Sequence, residues 1–425
     1  MTRTVAITGA GVISGAGVGR YAHHTSLRAG DVQFMSLRDA VAFLPFSSNG
    51  ELLEEIGGAT VCPVPLTNDE LGEVAQLNKK EVRRMDRHQL FARIAATEAM
   101  QPLVGVDVSQ YACIGATGGA GLASVFESSR LLIEGNRAGK KRLGPFDNLK
   151  YLPNIHVGQL TQQFGLGGPS HVHGTACAAS MHAVFDLIRM IELGHVPGGL
   201  VVGTEAAITE FGIASFFIQG ALGNGLSYHT DRSGFVMGEG AAALVIESYE
   251  VAKARKAPIL GVITGYGESS DALQDALITD PDPKGRGAAR AMSQALTMAG
   301  RELRTIDLVK THSTATPKGD LAELKALHLL ESNPVRLKKL AVTSVKSNIG
   351  HLLGAAGVAE TVAMLDCMED GILIPTRGLN YDTLDPSCAV VEHIMCTQRR
   401  DVNTVLCNGF GFGGTNASMV ISAHP

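Results

Sequence analysis

Residues 170–191 read SHVHGTACAASMHAVFDLIRMI, and the change of period inside them decides the fold class. A short strand is predicted first. Residues 174–180 are then small, and Met181, Val184, Phe185, Ile188 and Ile191 follow at helical spacing. On either side the same alternation continues. Runs at 5–8, 200–203, 243–247, 259–264, 306–311 and 404–407 read as strands, and Ala288, Met292, Ala295 and Ala299 mark another helix. Strands alternating with helices argue for an α/β fold with covered sheets. The charged, breaker-ended stretch EVAKARKAP (250–258) is the natural joint, dividing the chain into halves 1–255 and 256–425. TVAITGAG (4–11) opens the first half and ILGVITGYG (259–267) the second, so two related halves are expected. Residues 21–78 mix turns and apolar residues without clean period and are expected to form loops and short helices.

The charge balance, 36 basic against 41 acidic residues, supplies no electrostatic footprint for nucleic acid or an anionic membrane. Seven scattered cysteines with no CxxC pair fit reduced thiols and a cytoplasmic setting better than a disulfide scaffold. The uncharged stretch 4–19 could pass for a signal peptide, but its five glycines suit a buried strand and a Gly-rich turn better. Elsewhere no apolar run reaches the ~18 residues of a membrane span. Fifty of 425 residues are glycine and none is tryptophan, so close backbone packing is expected to matter more than aromatic anchors.

Several motifs invite a function. Gly9, Gly11 and Gly15 follow a strand, but their spacing is GxGxxxG rather than GxGxxG and no acidic residue ends a clear second strand ~20 residues on, which disfavours a dinucleotide site. Tyr249 and Lys253 have the YxxxK spacing of a reductase, in a segment better suited to a solvated helix face. His171, His173 and Cys177 form HxHxxxC; alternate strand positions put both imidazoles on one face, with the cysteine beyond the strand's end and no evident fourth ligand, so satisfied strand histidines are the expectation over zinc. Cys177 itself stands at a helix start, where free N–H groups and the dipole favour a thiolate and can hold an oxyanion. His312 ends a strand before a turn at Pro317 and Gly319, with Asp320 placed to cap the next helix. Lys346, Asn348 and His351 lead into a small-residue helix, and 408–417 (NGFGFGGTNA) sets four glycines around Phe410 and Phe412. A reactive side chain at the C-terminal end of a strand, repeated, is how α/β folds build sites.

As a set, these motifs resemble those of the β-ketoacyl-acyl carrier protein synthases, condensing enzymes of the thiolase superfamily. Thr175-Ala-Cys177 carries the likeness, with His312 in a version of HGTxTxxGDxxE, Lys346 with Asn348-Ile-Gly-His351, Gly411-Phe412-Gly-Gly-Thr415-Asn416, and Asp231-Arg-Ser-Gly234-Phe-Val-Met-Gly238-Glu-Gly240. The resemblance implies a thiolase-like fold of two pseudo-repeated α/β halves layered α-β-α-β-α. It implies decarboxylative Claisen condensation of an acyl thioester with malonyl-acyl carrier protein, in fatty-acid or specialised polyketide or polyene synthesis. Cys177 would take the acyl group, and His312 and His351 would assist decarboxylation and stabilise the enolate. Lys346 and Glu323 would form a supporting polar pair, and the backbone N–H groups of Cys177 and Phe412 the oxyanion hole. Phe410 and Phe412 would gate an acyl pocket near Thr117 and Gly118. No cofactor and no metal are implied. The implied partners are acyl carrier protein and a second copy or a chain-length-factor-like subunit, with no nucleic acid and no membrane.

The sequence departs from the family pattern at Ser313 and Ala315, where glycine or a small hydroxyl is usual, and at His171 and His173, where apolar or small residues are usual. Two other functions compete: a non-catalytic chain-length subunit, which Cys177 with both histidines argues against, and an NADPH-dependent ketoreductase around Tyr249 and Lys253. Arg130, Lys140, Lys141 and Arg142 are candidates for a basic carrier-docking patch, with a solvated loop as the plain alternative.

Overall fold

The computed structural model describes residues 4–44, 54–137, 143–273 and 277–424. Ten strands organise the site: β1 (Val5–Ser14), β2 (Ala112–Ala116), β3 (Ser170–His173), β4 (Gly198–Glu205), β5 (Gly240–Ser248), β6 (Gly261–Ser270), β7 (Leu308–Lys310), β8 (Ala341–Thr343), β9 (Thr404–Gly411) and β10 (Thr415–Ser422). The first half orders its strands β3-β2-β4-β5-β1 and the second β8-β7-β9-β10-β6. Each half therefore places its first, second, third, fourth and fifth strands in the spatial order 3-2-4-5-1. The senses match too: the two inner pairings on β2 and on β7 are parallel and the rest antiparallel. The halves join where β1 and β6 pair antiparallel, Val5 opposite Ile263 and Ile7 opposite Gly261.

Helix α1 (Arg87–Ala99) lies on the outer face of the first sheet and α3 (Arg286–Met298) on that of the second. Between the sheets lie α2 (Ala179–Glu192) and α5 (Ala356–Asp370), which share one core with the inner faces of both. Separate outer cores lie under α1 and under α3, which completes the α-β-α-β-α layering expected.

The repeated ITGxG phrase has a physical cause. Register shifts fall at Ile7/Gly9 in β1 and at Ile263/Gly265 in β6. Past each shift two glycines face a helix backbone: Gly9 and Gly11 meet the carbonyls of Ala99 and Ala95, and Gly265 and Gly267 those of Ala295 and Ala291. A methyl group on any of the four would collide with a carbonyl oxygen, so the strands dispense with side chains where α1 and α3 press closest. The expectation of a strand at 5–8 followed by a glycine turn is corrected accordingly. β1 runs on through Gly9 and Gly11 to Ser14, and the turn comes after it.

The joint at 250–258 holds a short helix, Tyr249–Ala254, with Lys253 over the Tyr249 ring at 5.5 Å and exposed. Residues 20–78 form short helices and loops within the described range, including Arg20–Ala29 and Asn68–Val74, together with two short strands the sequence did not suggest, Met35–Ser36 and Thr60–Cys62, which pair antiparallel. No helix of the described residues is long and apolar enough to cross a membrane.

Candidate active site

Cys177 sits in a 3-10 turn, Ala176–Ala178, between β3 and α2. Ala176 adopts φ 49, a left-handed conformation rare for a side-chain-bearing residue, and this kink ends the strand and swings the thiol inward. His351 approaches from the other half, with Nε2 3.0 Å from the Cys177 Sγ. Its backbone is clamped by the segment Val236–Gly238: its N–H donates to the Val236 carbonyl at 2.7 Å and its carbonyl accepts from Gly238 at 3.0 Å. The Leu353 N–H donates to His351 Nδ1 at 3.2 Å, so the ring's own proton is on Nε2, aimed into the site. The GFVMGEG segment thus acts as the splint for this histidine. Glu239 in it pairs with a buried Arg87 at 2.7 Å.

His312 follows β7, its ring 5.7 Å from that of His351 and 5.5 Å from Phe410. Helix α4 (Pro317–Leu330) supplies Glu323, which accepts from the N–H groups of His312 (2.9 Å) and Ser313 (3.0 Å), from the Ser313 hydroxyl (3.1 Å) and from Asn408 Nδ2 (2.9 Å). Ser313 is accommodated because its hydroxyl bonds Glu323 and the Tyr228 hydroxyl, and its φ is not positive. Ala315 carries the cost of the departure from glycine instead, at φ 60. Asp320 does not cap α4; Thr316 does, while Asp320 accepts from the N–H groups of Tyr228 and Ala315, and burial lifts its carboxyl to about 7.

The expected Lys346–Glu323 pair is not formed. Lys346 Nζ lies 2.6 Å from Glu360 Oε1, and Lys310 Nζ 2.6 Å from Glu360 Oε2, all three side chains being buried. Glu323 is instead committed to the backbone around His312, so the two supporting residues serve different histidines. One carboxylate thus lies between two buried lysines under the site, and burial lowers the pKa of Lys346. Burial holds both His312 and His351 well below the ordinary imidazole pKa, and Lys346 and Lys310 push in the same direction. Both rings are therefore neutral N–H donors at neutral pH.

The expectation of a thiolate at Cys177 is also corrected. Burial pushes the thiol up to about 12, against the pull of Lys346 and a hydrogen bond from the Phe412 N–H. Cys177 rests as a thiol, with His351 as its polar neighbour.

These groups line a cavity of about 540 Å³ together with Gly118, Leu122, Ala207, Phe216, Phe235, Leu353, Phe410 and Phe412. Thr117 lies behind the wall, buried, its hydroxyl turned to Glu205. Gly118 and Phe412 are wall residues, as expected. Phe410 and Phe412 belong to the β9–β10 hairpin, whose turn at 412–414 hydrogen-bonds the backbone of Asp271 and Ile278 through Gly414 and Gly413. Lys318 and Asp280 pair at 2.8 Å and also line the cavity.

Sequence reasoning missed Glu205, Lys310, Glu360, Phe216 and Phe235. Buried Glu205 accepts from Gly118 (2.6 Å), Gly119 (3.1 Å) and Gly354 (3.0 Å), tying the loop after β2 to the turn before α5. The signal was a charge inside an apolar run: LVVGTE, LVKT and GVAETVAML each contain one, and a buried charge requires partners. Tyr249 and Lys253 do not line the cavity. In the proposed docking patch Arg130 pairs with Glu127 at 2.7 Å, and Lys140, Lys141 and Arg142 lie outside the described residues.

Comparison with known proteins agrees with this geometry. Residues 2–252 match the family described as beta-ketoacyl synthase, N-terminal domain, and residues 260–380 the beta-ketoacyl synthase, C-terminal domain. The chain is 33% identical over 439 residues to a 3-oxoacyl-[acyl-carrier-protein] synthase 2 of Rhizobium meliloti, covering 99% of each chain. It is 36% identical over 355 residues to the protein of that name from Staphylococcus aureus, covering 81% of this chain and 86% of the other. Among solved structures it resembles the ishigamide ketosynthase/chain length factor with a TM-score of 0.85 at 28% identity, over 100% of both chains. The chain thus belongs to the beta-ketoacyl synthase family and is an acyl-transferring, condensing enzyme.

Proposed function

We propose that Cys177 is the acyl acceptor and that His312 and His351 stabilise the enolate in a decarboxylative condensation between an acyl thioester and malonyl-acyl carrier protein. The observation that carries this is the 3.0 Å approach of His351 Nε2 to the Cys177 Sγ in a cavity that His312 also lines. Loading forms the Cys177 S–C(acyl) bond and breaks the carrier's S–C bond, and the thiol proton passes to the departing carrier sulfur. With malonyl carrier in place, the C–CO₂ bond breaks and its electron pair moves into the thioester enolate. The enolate oxygen takes hydrogen bonds from two neutral imidazoles whose donors need no reorganisation. The enolate carbon then attacks the acyl carbon, Cys177 leaves as thiolate and is reprotonated. The Phe412 N–H, with that of Cys177, supports the tetrahedral oxyanion, and Phe410 and Phe412 gate the apolar cavity. The nucleophile comes from the half 1–255, and both histidines and the gate come from 256–425.

Acyl carrier protein is the partner, in line with the names of the relatives. A second subunit, either a copy of this chain or a chain-length-factor-like protein, pairs along β3. That strand is unpaired on its outer side among the described residues, and the neighbouring chain-length-factor complex supplies the precedent. A reducing cytoplasm is the setting that seven unpaired cysteines support. Offered a panel of acyl-carrier thioesters, the wild type should gain one acyl mass by intact-mass spectrometry and Cys177→Ala none; equal labelling of the variant sinks the assignment.

A further inference from the structure

The two histidines of the HxHxxxC spacing share a third partner, and it is not the cysteine. His171 and His173 project from the same face of β3 towards α2, where Asp186 receives both: Oδ2 is 2.5 Å from His171 Nε2 and 3.2 Å from His173 Nε2. The rings sit 5.5 Å apart, tilted by 55°. One ligand atom from each of the three residues lies within 4.8 Å of the others. Cys177 is excluded because its sulfur faces His351 across the cavity.

We propose that His171, His173 and Asp186 form a binding site for a divalent transition ion of borderline softness, of which Zn²⁺ is the type. Two imidazoles and one carboxylate are a donor set that such an ion takes with water in the remaining positions. Alternate positions on a strand deliver two imidazoles to one point without bending the backbone, and a helix behind the strand delivers the carboxylate. In the single chain the three side chains keep 41%, 25% and 27% of their surface exposed, and a second subunit pairing along β3 would bring this face to the seam between the two. Binding requires each ring to carry its proton on Nδ1, which frees both Nε2 lone pairs for the metal. The ion would tie β3 to α2 on both sides of the Cys177 turn, four residues past His173. Its role is to brace that turn; it takes no part in the chemistry at the sulfur.

The test uses the purified full chain, stripped with chelator and titrated with zinc chloride by calorimetry, with thermal unfolding followed in parallel. One equivalent per chain should bind and raise the unfolding temperature. His171→Ala, His173→Ala and Asp186→Asn should each weaken binding by more than ~10-fold, the scale on which even an outer-shell partner acts. Because Cys177 and the site histidines are themselves potential ligands, Cys177→Ser is the control and should bind as the wild type does. Cobalt substitution gives a readout independent of stability: the spectrum should show ligand-field bands without a sulfur-to-metal charge-transfer band. His171 is the most exposed of the three, so its truncation should leave the chelator-stripped unfolding temperature at the wild-type value. Saturation only at millimolar zinc, a thiolate band, or binding that survives His171→Ala and vanishes in Cys177→Ser would each overturn the proposal.

Discussion

The turns that deliver Cys177 and His351 are the same device used twice. In each a residue other than glycine takes a positive φ at the first position of a 3-10 turn (Ala176 at 49, Leu353 at 44), and a helix buried between the sheets begins without a side-chain cap; Cys177 directly follows its strained residue, whereas His351 comes two residues before Leu353, after the short helix Lys346–Ile349. What differs is the support beneath. Helix α5 carries Glu360 into the core against two lysines, whereas on α2 Asp186 stays at the sheet edge beside two histidines. Duplication therefore explains the backbone, and the buried ions mark the turn whose side chain must stay neutral and fixed.

The comparison predicts that removing the fixed donor costs more than any packing change. His351→Ala should lower malonyl-carrier decarboxylation by about 10²–10³-fold, the usual cost of one oxyanion donor, while acyl loading of Cys177 is much less affected. Unchanged CO₂ release would remove His351 from the chemistry. The pH profile checks the charge state. Burial and the two lysines lower the pKa of both histidines, so the active neutral form persists well below the unperturbed value of about 6.5. Decarboxylation should be flat from there upward and fall only in more acid solution; a fall centred near pH 6.5 would mean that the buried charge does not act on the rings.

Next in size is the support itself. Glu360→Gln leaves Lys310 and Lys346 buried without a counter-charge and should cost about 3 kcal/mol, read by chemical denaturation. Asp186→Asn, measured on the chelator-stripped chain, removes the charge of a partly exposed carboxylate and should cost no more than about 1 kcal/mol. Equal losses would erase the distinction between the two helices.

How much of this was legible in the sequence follows from the same contrast. That Cys177, His312, His351 and the glycine hairpin belong to one site was readable because each is a local pattern: a reactive residue where a strand stops, or glycines around aromatic rings. The ITGxG repeat was readable as a duplication, but not as a strand running through its glycines, because only the helices above show why side chains are missing there. Lys346 was assigned the wrong carboxylate because Glu323 lies on a helix before it and Glu360 on a helix after it, and only the sheet order brings Lys310 beside Lys346 and fixes which acid can reach them. The thiolate expectation failed for a related reason. The dipole at a helix start is local, whereas burial is set by the whole cavity, and burial wins. Asp186 was invisible as a ligand because the strand-to-helix distance that aligns it with His171 and His173 is a tertiary fact.

The repeat makes a prediction of its own. Gly11→Ala and Gly267→Ala both drive a methyl group into a helix carbonyl, that of Ala95 in one half and Ala291 in the other. Each should destabilise by about 2 kcal/mol, within the usual range for forcing extra atoms into a packed core. Unfolding midpoints that differ widely between the two would show that one half tolerates the helix shift and that the equivalence is only topological.

The smallest effect tests whether the strained turn matters at all. A left-handed conformation costs a residue with a Cβ roughly 1–2 kcal/mol relative to glycine, so Ala176→Gly relieves strain in the folded state. Glycine also gives the unfolded chain more freedom, which takes back about 0.4–1 kcal/mol. The net change in stability should therefore be under about 1 kcal/mol. Leu353→Gly cannot be neutral in this way, because Leu353 is also a buried wall of the cavity and loses its packing. Function should separate the two outcomes for Ala176. If the strained φ holds the thiol against His351, Ala176→Gly loads acyl groups a few-fold more slowly at unchanged stability, since glycine no longer restricts the turn to the conformation that points the sulfur inward. Loading at the wild-type rate would mean that the packed helix α2 alone fixes Cys177, and that the positive φ at both turns is a consequence of duplication with no role in positioning the nucleophile.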